Sequence, residues 1–188
     1  MVLWKTLSKR VILDHSPFLK VEEHSIELPD GRVIPDWSWV ITPDFVNVIA
    51  VTENQKILCF HQVKYGVEGT TLAPVGGHID HEEKPLDAAQ RELLEETGYV
   101  SSNWTELGNY RVGANRGFAT AHFFLARGAR YQQAPTDDDL EEQELLHLSR
   151  AEMERALNQC KFKVVSWVAA ITLALRCLQQ SDESLTEQ

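Results

Sequence analysis

The chain has 188 residues, with 28 acidic and 18 basic side chains and a formal net charge of −10. Hydrophobic residues make up 43 % and charged residues 24 %, the balance of a globular chain that can bury a core and not of a disordered one. The acidic excess excludes a general affinity for nucleic-acid backbone, which needs clustered Lys and Arg. It is compatible with a protein that gathers carboxylates around cations.

The N-terminal MVLWKTLSKRVIL holds no apolar run long enough for a signal peptide, so a cytoplasmic location is expected. The first 75 residues read as strands. Residues 18–28 form one, followed by the turn signal Pro29-Asp30-Gly31. Residues 32–41 form the next, with Trp37 and Trp39 two apart and so on one face. Residues 46–51 and 57–63 flank 52–56, which reads as a hairpin, and 70–75 is a further short strand. The period then changes. Residues 85–97 are helical, with Pro85 in the first turn, Gly98 after the last, and Leu86, Ala89 and Leu93 as a buried stripe. Strands return at 104–112, 122–126 and 145–148. Ser149 and Glu152 form a capping-box signature that opens a helix through about residue 158.

A last helix runs from about 162 to 180, and the polar tail 181–188 is expected to fray. Its apolar stretch, 164–175, is 12 residues long, short of the roughly 20 a membrane span requires. It reads as a buried helix or, second, a helix at a subunit interface. Cys59, Cys160 and Cys177 match neither a zinc spacing nor a disulfide framework and are expected as reduced thiols buried as small hydrophobes.

The chemistry concentrates in residues 77–99, GHIDHEEKPLDAAQRELLEETGY. Glu92, Glu95 and Glu96 are related as i, i+3 and i+4, so on a helix their carboxylates share one patch. Carboxylates this close repel unless a cation compensates them, and hard oxygen donors suit Mg²⁺ or Mn²⁺. The alternative is a solvated acidic helix face. Adjacent Gly76 and Gly77 before the helix let backbone approach a ligand closely. Arg91, eight residues after Glu83, can pair with it and fasten the loop to the helix.

The segment resembles the Nudix box, met by Gly77, Glu83, Arg91, Glu92, Leu93, Glu95, Glu96, Gly98 and Tyr99. The resemblance implies an α/β fold. That fold is a Nudix-type α/β/α sandwich with a mixed β-sheet and an N-terminal antiparallel strand region, in a single domain over 1–188. It implies hydrolysis of a nucleoside diphosphate linked to another moiety, with Mg²⁺ as cofactor and Mn²⁺ as a substitute. Glu92 and Glu96 would be the main metal ligands, with Glu95 assisting and the Gly76 carbonyl as a further ligand. Gly77, Glu83, Arg91 and Gly98 would be structural.

Outside the box, Pro29-Asp30-Gly31, the stretch from Gln62 to Tyr65 and the stretch from His122 to Ala126 resemble the ADP-ribose and nucleoside-diphosphate-sugar pyrophosphatase branch. The branch often has Arg where Lys64 stands, and Lys lacks bidentate phosphate geometry. It often has a Glu before the box, absent from the stretch Ala73-Pro74-Val75-Gly76-Gly77. No Pro stands at the downstream position associated with ADP-ribose preference. In this branch a loop after the box supplies a water-activating Glu. Glu141 is the residue expected here, Glu142 next, within an acidic run over 137–144 that otherwise reads as a solvated loop.

Trp37 and Trp39 can stack on a base, with core packing of one of them the alternative; in the branch the N-terminal strands, here within 1–45, help complete a partner's site, which implies a homodimer. Arg111 and Arg116 flank a turn with Gly113 and Gly117 and can meet phosphate or sugar; ordinary surface arginines are the alternative. Three functions follow: a Mg²⁺-dependent NDP-sugar hydrolase giving a nucleoside monophosphate and a sugar phosphate, a nucleoside triphosphate sanitiser, or a non-catalytic nucleotide sensor. The expected partner is a small nucleoside-diphosphate-linked molecule, with no nucleic acid and no membrane.

Overall fold

The structure, a computed structural model, describes residues 1–136 and 142–186. It divides into two compact units, residues 1–44 with 110–120 and residues 45–109 with the described part of 121–188.

In the first unit, β1 (Lys5–His15), β2 (Leu19–Glu27) and β3 (Val33–Ile41) form an antiparallel sheet in the order β1-β2-β3. The turn between β2 and β3 closes where Pro29-Asp30-Gly31 predicts it. Gly31 N–H donates to the Leu28 carbonyl at 2.9 Å, and Gly31 takes φ 83°, a conformation that favours glycine. On β2 the period of two buries Glu22, His24 and Ile26 on one face. A buried carboxylate requires partners. His24 Nε2 lies 2.9 Å from Glu22 Oε2, and Lys20 Nζ lies 3.1 Å from Glu22 Oε1. These bonds, His24's first, hold the Glu22 carboxyl below its usual range. β1 is exposed along all 11 residues.

The second unit contains β4 (Phe45–Thr52), β5 (Ile57–Val63), β6 (Thr70–Ala73), α1 (Pro85–Thr97), β7 (Tyr99–Val100), β8 (Asn103–Arg111), β9 (Thr120–Tyr131), β10 (Gln143–Leu148), α2 (Arg150–Asn158) and α3 (Val165–Thr186). The ends of β8 and β9 at 110, 111 and 120 belong to the first unit. The strands form one sheet in the order β10-β5-β4-β9-β7, with β6 on β5 and β8 on β9. β4 runs parallel to β9 and antiparallel to β5, so the sheet is mixed. Central β4 is buried on both faces, which is why it is apolar from Phe45 to Val51 except at Asn47.

Alternation on the strands sends Val46, Val48, Leu58, Phe60 and Phe124 toward Ala88, Ala89 and Leu93 of α1. Ile49, Ile57, Cys59, Phe123 and Leu125 face the other way, toward Met153 of α2 and Ala170, Ile171 and Ala174 of α3. The result is the expected α/β/α sandwich. The helix signals also hold. Gly98 ends α1 at φ 74° with its N–H on the Leu94 carbonyl, and Ser149 and Glu152 form the full capping box.

Several expectations need correction. Leu86 is 38 % exposed, and Ala88 takes its place in the buried stripe because small side chains let α1 approach the sheet. The strand expected over 70–75 ends at Ala73, with Val75 bridging to Val48. Of the cysteines only Cys59 is buried; burial pushes its thiol up to about 12. Cys160 is exposed just after α2, where the backbone turns at φ 54°, and Cys177 is half-buried. The last helix begins at Val165, buries one stripe and leaves Val165 and Val168 exposed. No described helix is long and apolar enough to cross a membrane.

Candidate active site

The site begins with a close approach of backbone. Residues 75–77 run beside β4, with Val48 N–H on the Val75 carbonyl at 2.8 Å and Val46 N–H on the Gly77 carbonyl at 2.9 Å. A Cβ on Gly76 would strike the Val46 carbonyl and the Asn47 amide. A Cβ on Gly77 would strike the carboxyl group of Glu92. Glycine at both positions therefore lets the loop lie flat on β4 and lets Glu92 from α1 rest against that loop. Glu96, one helical turn on, accepts the Gly76 N–H at 3.0 Å. Two of the expected metal ligands are thus in contact with the loop that carries the third, Gly76.

Arg91 joins the rest. Its Nε and Nη2 bind the two oxygens of Glu83, each at 2.9 Å, in the bidentate geometry that suits guanidinium to carboxylate. Its Nη1 donates to Glu92 at 2.8 Å and to Glu95 at 3.1 Å, and Nη2 also reaches the His78 carbonyl at 3.0 Å. One cation thus holds three carboxylates and the loop backbone. The pairing lowers the Glu83 carboxyl below its usual range and raises Arg91 further above its own. Glu83 Oε2 also accepts the Asp80 N–H, which fixes the loop turn.

The donors around this point are carboxylate and carbonyl oxygens, the set that hard divalent cations prefer. Asn47 Oδ1, on the residue against which Gly76 packs, is buried with no hydrogen-bond partner among the described residues. The region therefore has oxygen acceptors in excess of donors. The residues present fit a divalent cation, although no group of three acidic, His or Cys side chains among the described residues already converges as a metal cage. In this geometry Arg91 supplies the charge compensation that the sequence assigned to metal alone.

The other expected site residues fall in separate places. Trp37, Trp39, Arg111 and Arg116 all belong to the first unit. There Arg116 stacks over the Trp37 ring at 4.7 Å, and Trp37 Nε1 donates to the Asn115 carbonyl at 3.1 Å. Trp39 stacks on His24 at 5.0 Å and packs against Gly117, and Arg111 bonds Thr120 at 3.0 Å. Lys64 follows β5 and is half-buried. Glu142 precedes β10 and lines a cavity of about 390 Å³ with His61 and Glu144. By strand alternation His61 lies on the Cys59 face, opposite the one that α1 covers. Glu141 lies outside the described residues.

A further cavity, about 610 Å³, is lined by His61, Leu146, Arg155, Cys160, Lys161 and Lys163 among others, none of them a box residue. Sequence reading missed a second cavity of about 520 Å³ beside the start of α1, lined by Leu86, Trp104, Glu106, Asn109, His122 and Phe124 with Lys84 and Pro85.

Comparison with known proteins shows the family. Residues 42–168 match the NUDIX domain, and residues 4–40 match the nucleoside diphosphate sugar hydrolase N-terminal domain. The chain is 31 % identical over 134 residues to a CMP-5'-(N-acetyl-N-hydroxy-3-aminopropyl)phosphonate hydrolase of Streptomyces rubellomurinus (strain ATCC 31215), covering 71 % of this chain and 64 % of that one. It is 29 % identical over 176 residues to an ADP-ribose pyrophosphatase of Bacillus subtilis (strain 168), covering 93 % and 92 %. A methanol dehydrogenase activator of Bacillus methanolicus is 27 % identical over 161 residues, covering 86 % and 85 %. Among solved structures, an ADP compounds hydrolase superposes with a TM-score of 0.78 over 95 % of both chains at 20 % identity, which shows the shared fold. The box that Arg91 clasps is therefore a Nudix box, and the chain belongs to the Nudix family, with the N-terminal region found in its nucleoside diphosphate sugar hydrolases.

Proposed function

We propose that the protein is a Mg²⁺-dependent hydrolase of nucleoside-diphosphate sugars, with ADP-ribose the foremost substrate. The observation that carries this reading is the placement of Glu92 and Glu96 against the Gly76–Gly77 backbone, with Arg91 bonding Glu92 and Glu95. The match over residues 4–40 and the likeness to an ADP-ribose pyrophosphatase over 93 % of the chain support the substrate class.

Glu92, Glu96, Glu95 and the Gly76 carbonyl would hold the cation. When bound, it supplies charge neutralisation of the pyrophosphate and acidification of the attacking water. Arg91 and Glu83 hold the loop at a fixed height over α1, so the carboxylates are in place before substrate arrives. Water adds to one phosphorus, the P–O–P bridge breaks, and a nucleoside monophosphate and a sugar phosphate leave. Glu141 takes the proton of the water. Support for this role comes from the flanking chain, where Thr136 N–H bonds the Glu95 carbonyl of α1 at 2.9 Å, so that residue 136 sits beside the box. Lys64, Arg111 and Arg116 would serve phosphate or sugar, and Trp37 and Trp39 a base.

We also propose a homodimer formed through β1. Support comes from its exposure along 11 residues, with Leu7, Val11, Ile12 and Leu13 each at least 40 % exposed. Such an edge with apolar side chains invites pairing with a second strand. A cytoplasmic location goes with this reading.

A product assay with Mg²⁺ over ADP-ribose, other NDP-sugars, a CMP-linked phosphonate and nucleoside triphosphates tests the reaction. Release of AMP from ADP-ribose, reduced at least a hundredfold in Glu96→Gln with an unchanged circular dichroism spectrum, is expected. Pyrophosphate release from triphosphates alone would mark a sanitiser, and no turnover a sensor. In a second assay, Glu141→Gln should retain Mn²⁺ binding and lose at least a hundredfold in kcat; unchanged kcat removes Glu141 from the mechanism. Sedimentation velocity should show a dimer that Leu7→Lys with Val11→Lys converts to monomer, and a wild-type monomer would rule the dimer out.

A further inference from the structure

The cavity beside the start of α1 is built by a local break in strand alternation. On β8, Trp104 packs with the residues under α1, whereas Leu107 packs with the core on the far face. Strict period two would place Glu106 with Trp104 and send Asn109 to the far face with Leu107. Gly108 takes φ 121°, a conformation that favours glycine, and interrupts the alternation. Asn109 consequently lines the same cavity as Trp104 and Glu106.

His122 and Phe124 of β9 complete the floor, and Leu86 and Lys84 form the wall on the α1 side. Trp104 and Phe124 meet edge-to-face with centroids 6.3 Å apart, and Trp104 Nε1 is committed to the Ser101 carbonyl at 2.8 Å. The polar side chains of Lys84, Glu106, Asn109 and His122 make no hydrogen bonds among the described residues. A cavity of about 520 Å³ with an aromatic floor and a few converging polar groups has the composition of a small-ligand site.

Its distance from the box is fixed by register. Val46 of β4 pairs with His122 on one side and bonds Gly77 on the other. Two strand spacings separate the backbones of His122 and Gly77, about 10 Å. Glu92 rests on Gly77. The cavity therefore lies about one sugar-phosphate length from the box carboxylates. Its donors and acceptors are a carboxylate, a carboxamide, an imidazole and an ammonium. That set pairs with vicinal hydroxyls, and the Trp104 and Phe124 rings suit the C–H face of a sugar.

We propose that this cavity is the subsite for the hydroxyl-rich moiety linked to the nucleoside diphosphate, with Glu106 and Asn109 reading its hydroxyls. The inference rests on the proposed reaction and adds to it the residues that select the leaving sugar phosphate. Lys84 from the wall and His122 from the floor approach the same moiety and meet its phosphate.

The test compares the full-length wild type with Glu106→Gln and Asn109→Ala combined. Both residues are exposed, and neither belongs to the box. The substrates are ADP-ribose and adenosine diphosphate ethyl ester, which keeps the pyrophosphate and lacks the sugar. The expected result is a KM for ADP-ribose raised at least tenfold, with kcat nearly unchanged and the ethyl ester affected less than twofold. Equal effects on both compounds, or none on either, overturn the subsite. Direct binding gives a readout independent of turnover. Ribose 5-phosphate should shift the Trp104 indole N–H resonance in the wild type and not in the double variant. No shift in the wild type, or equal shifts in both proteins, overturns the subsite. A wild type that shifts with ribose 5-phosphate but hydrolyses neither compound overturns the reaction instead.

Discussion

The site depends on the compensation of like charge. Glu92, Glu95 and Glu96 occupy one face of α1, and Glu83 joins them from the loop. Two carboxylates roughly 5 Å apart in surroundings of effective dielectric about 20 repel by about 3 kcal/mol. Left alone, these carboxylates would splay into solvent and α1 would lose its hold on the loop. Arg91 prevents this by giving two bonds to Glu83 and one each to Glu92 and Glu95. Only a guanidinium offers enough donors, in a fixed plane, to do so.

The sheet supplies the platform for that arrangement. β4 sits between β5 and β9 with helices over both faces, so it is buried from Val46 to Thr52, and residues 75–77 hydrogen-bond along it. Gly76 and Gly77 remove the side chains that would hold the loop away. Ala88 and Ala89 let α1 sit close above it. The carboxylates are therefore fixed relative to the loop backbone by core packing, which is the preorganisation that electrostatic catalysis requires. The same strand pairing sets the cavity beside the start of α1 at a defined distance from the box.

Much of this architecture was legible in the sequence. The helix over 85–97 carried Pro at its start and Gly after its end, and its carboxylate spacing matched a box motif with nine fixed positions. The Glu83–Arg91 pair followed from the same motif. What escaped was set by contacts distant in sequence. Arg91 bridging Glu92 and Glu95 depends on how the loop seats on β4, and Glu92 resting on Gly77 depends on the sheet beneath. β1 has no strict polar–apolar alternation because it buries neither face, so periodicity could not define it. Asn109 faces the cavity only because of the conformation at Gly108, which spacing alone does not reveal. Leu86 looked like core because apolar residues at helical spacing usually are; here the helix starts beside a cavity that keeps it exposed.

The central claim is that Glu92, Glu95 and Glu96, held in place by Arg91 and the Gly76 backbone, form a divalent cation site. A paramagnetic resonance titration of Mn²⁺ into the wild type and Glu96→Gln tests it directly, with no need to know the substrate. The expected result is saturable binding to the wild type that is weakened at least tenfold in the variant, while both proteins retain the same melting temperature without metal. Equal Mn²⁺ affinity in the two proteins would contradict the claim and place the cation elsewhere.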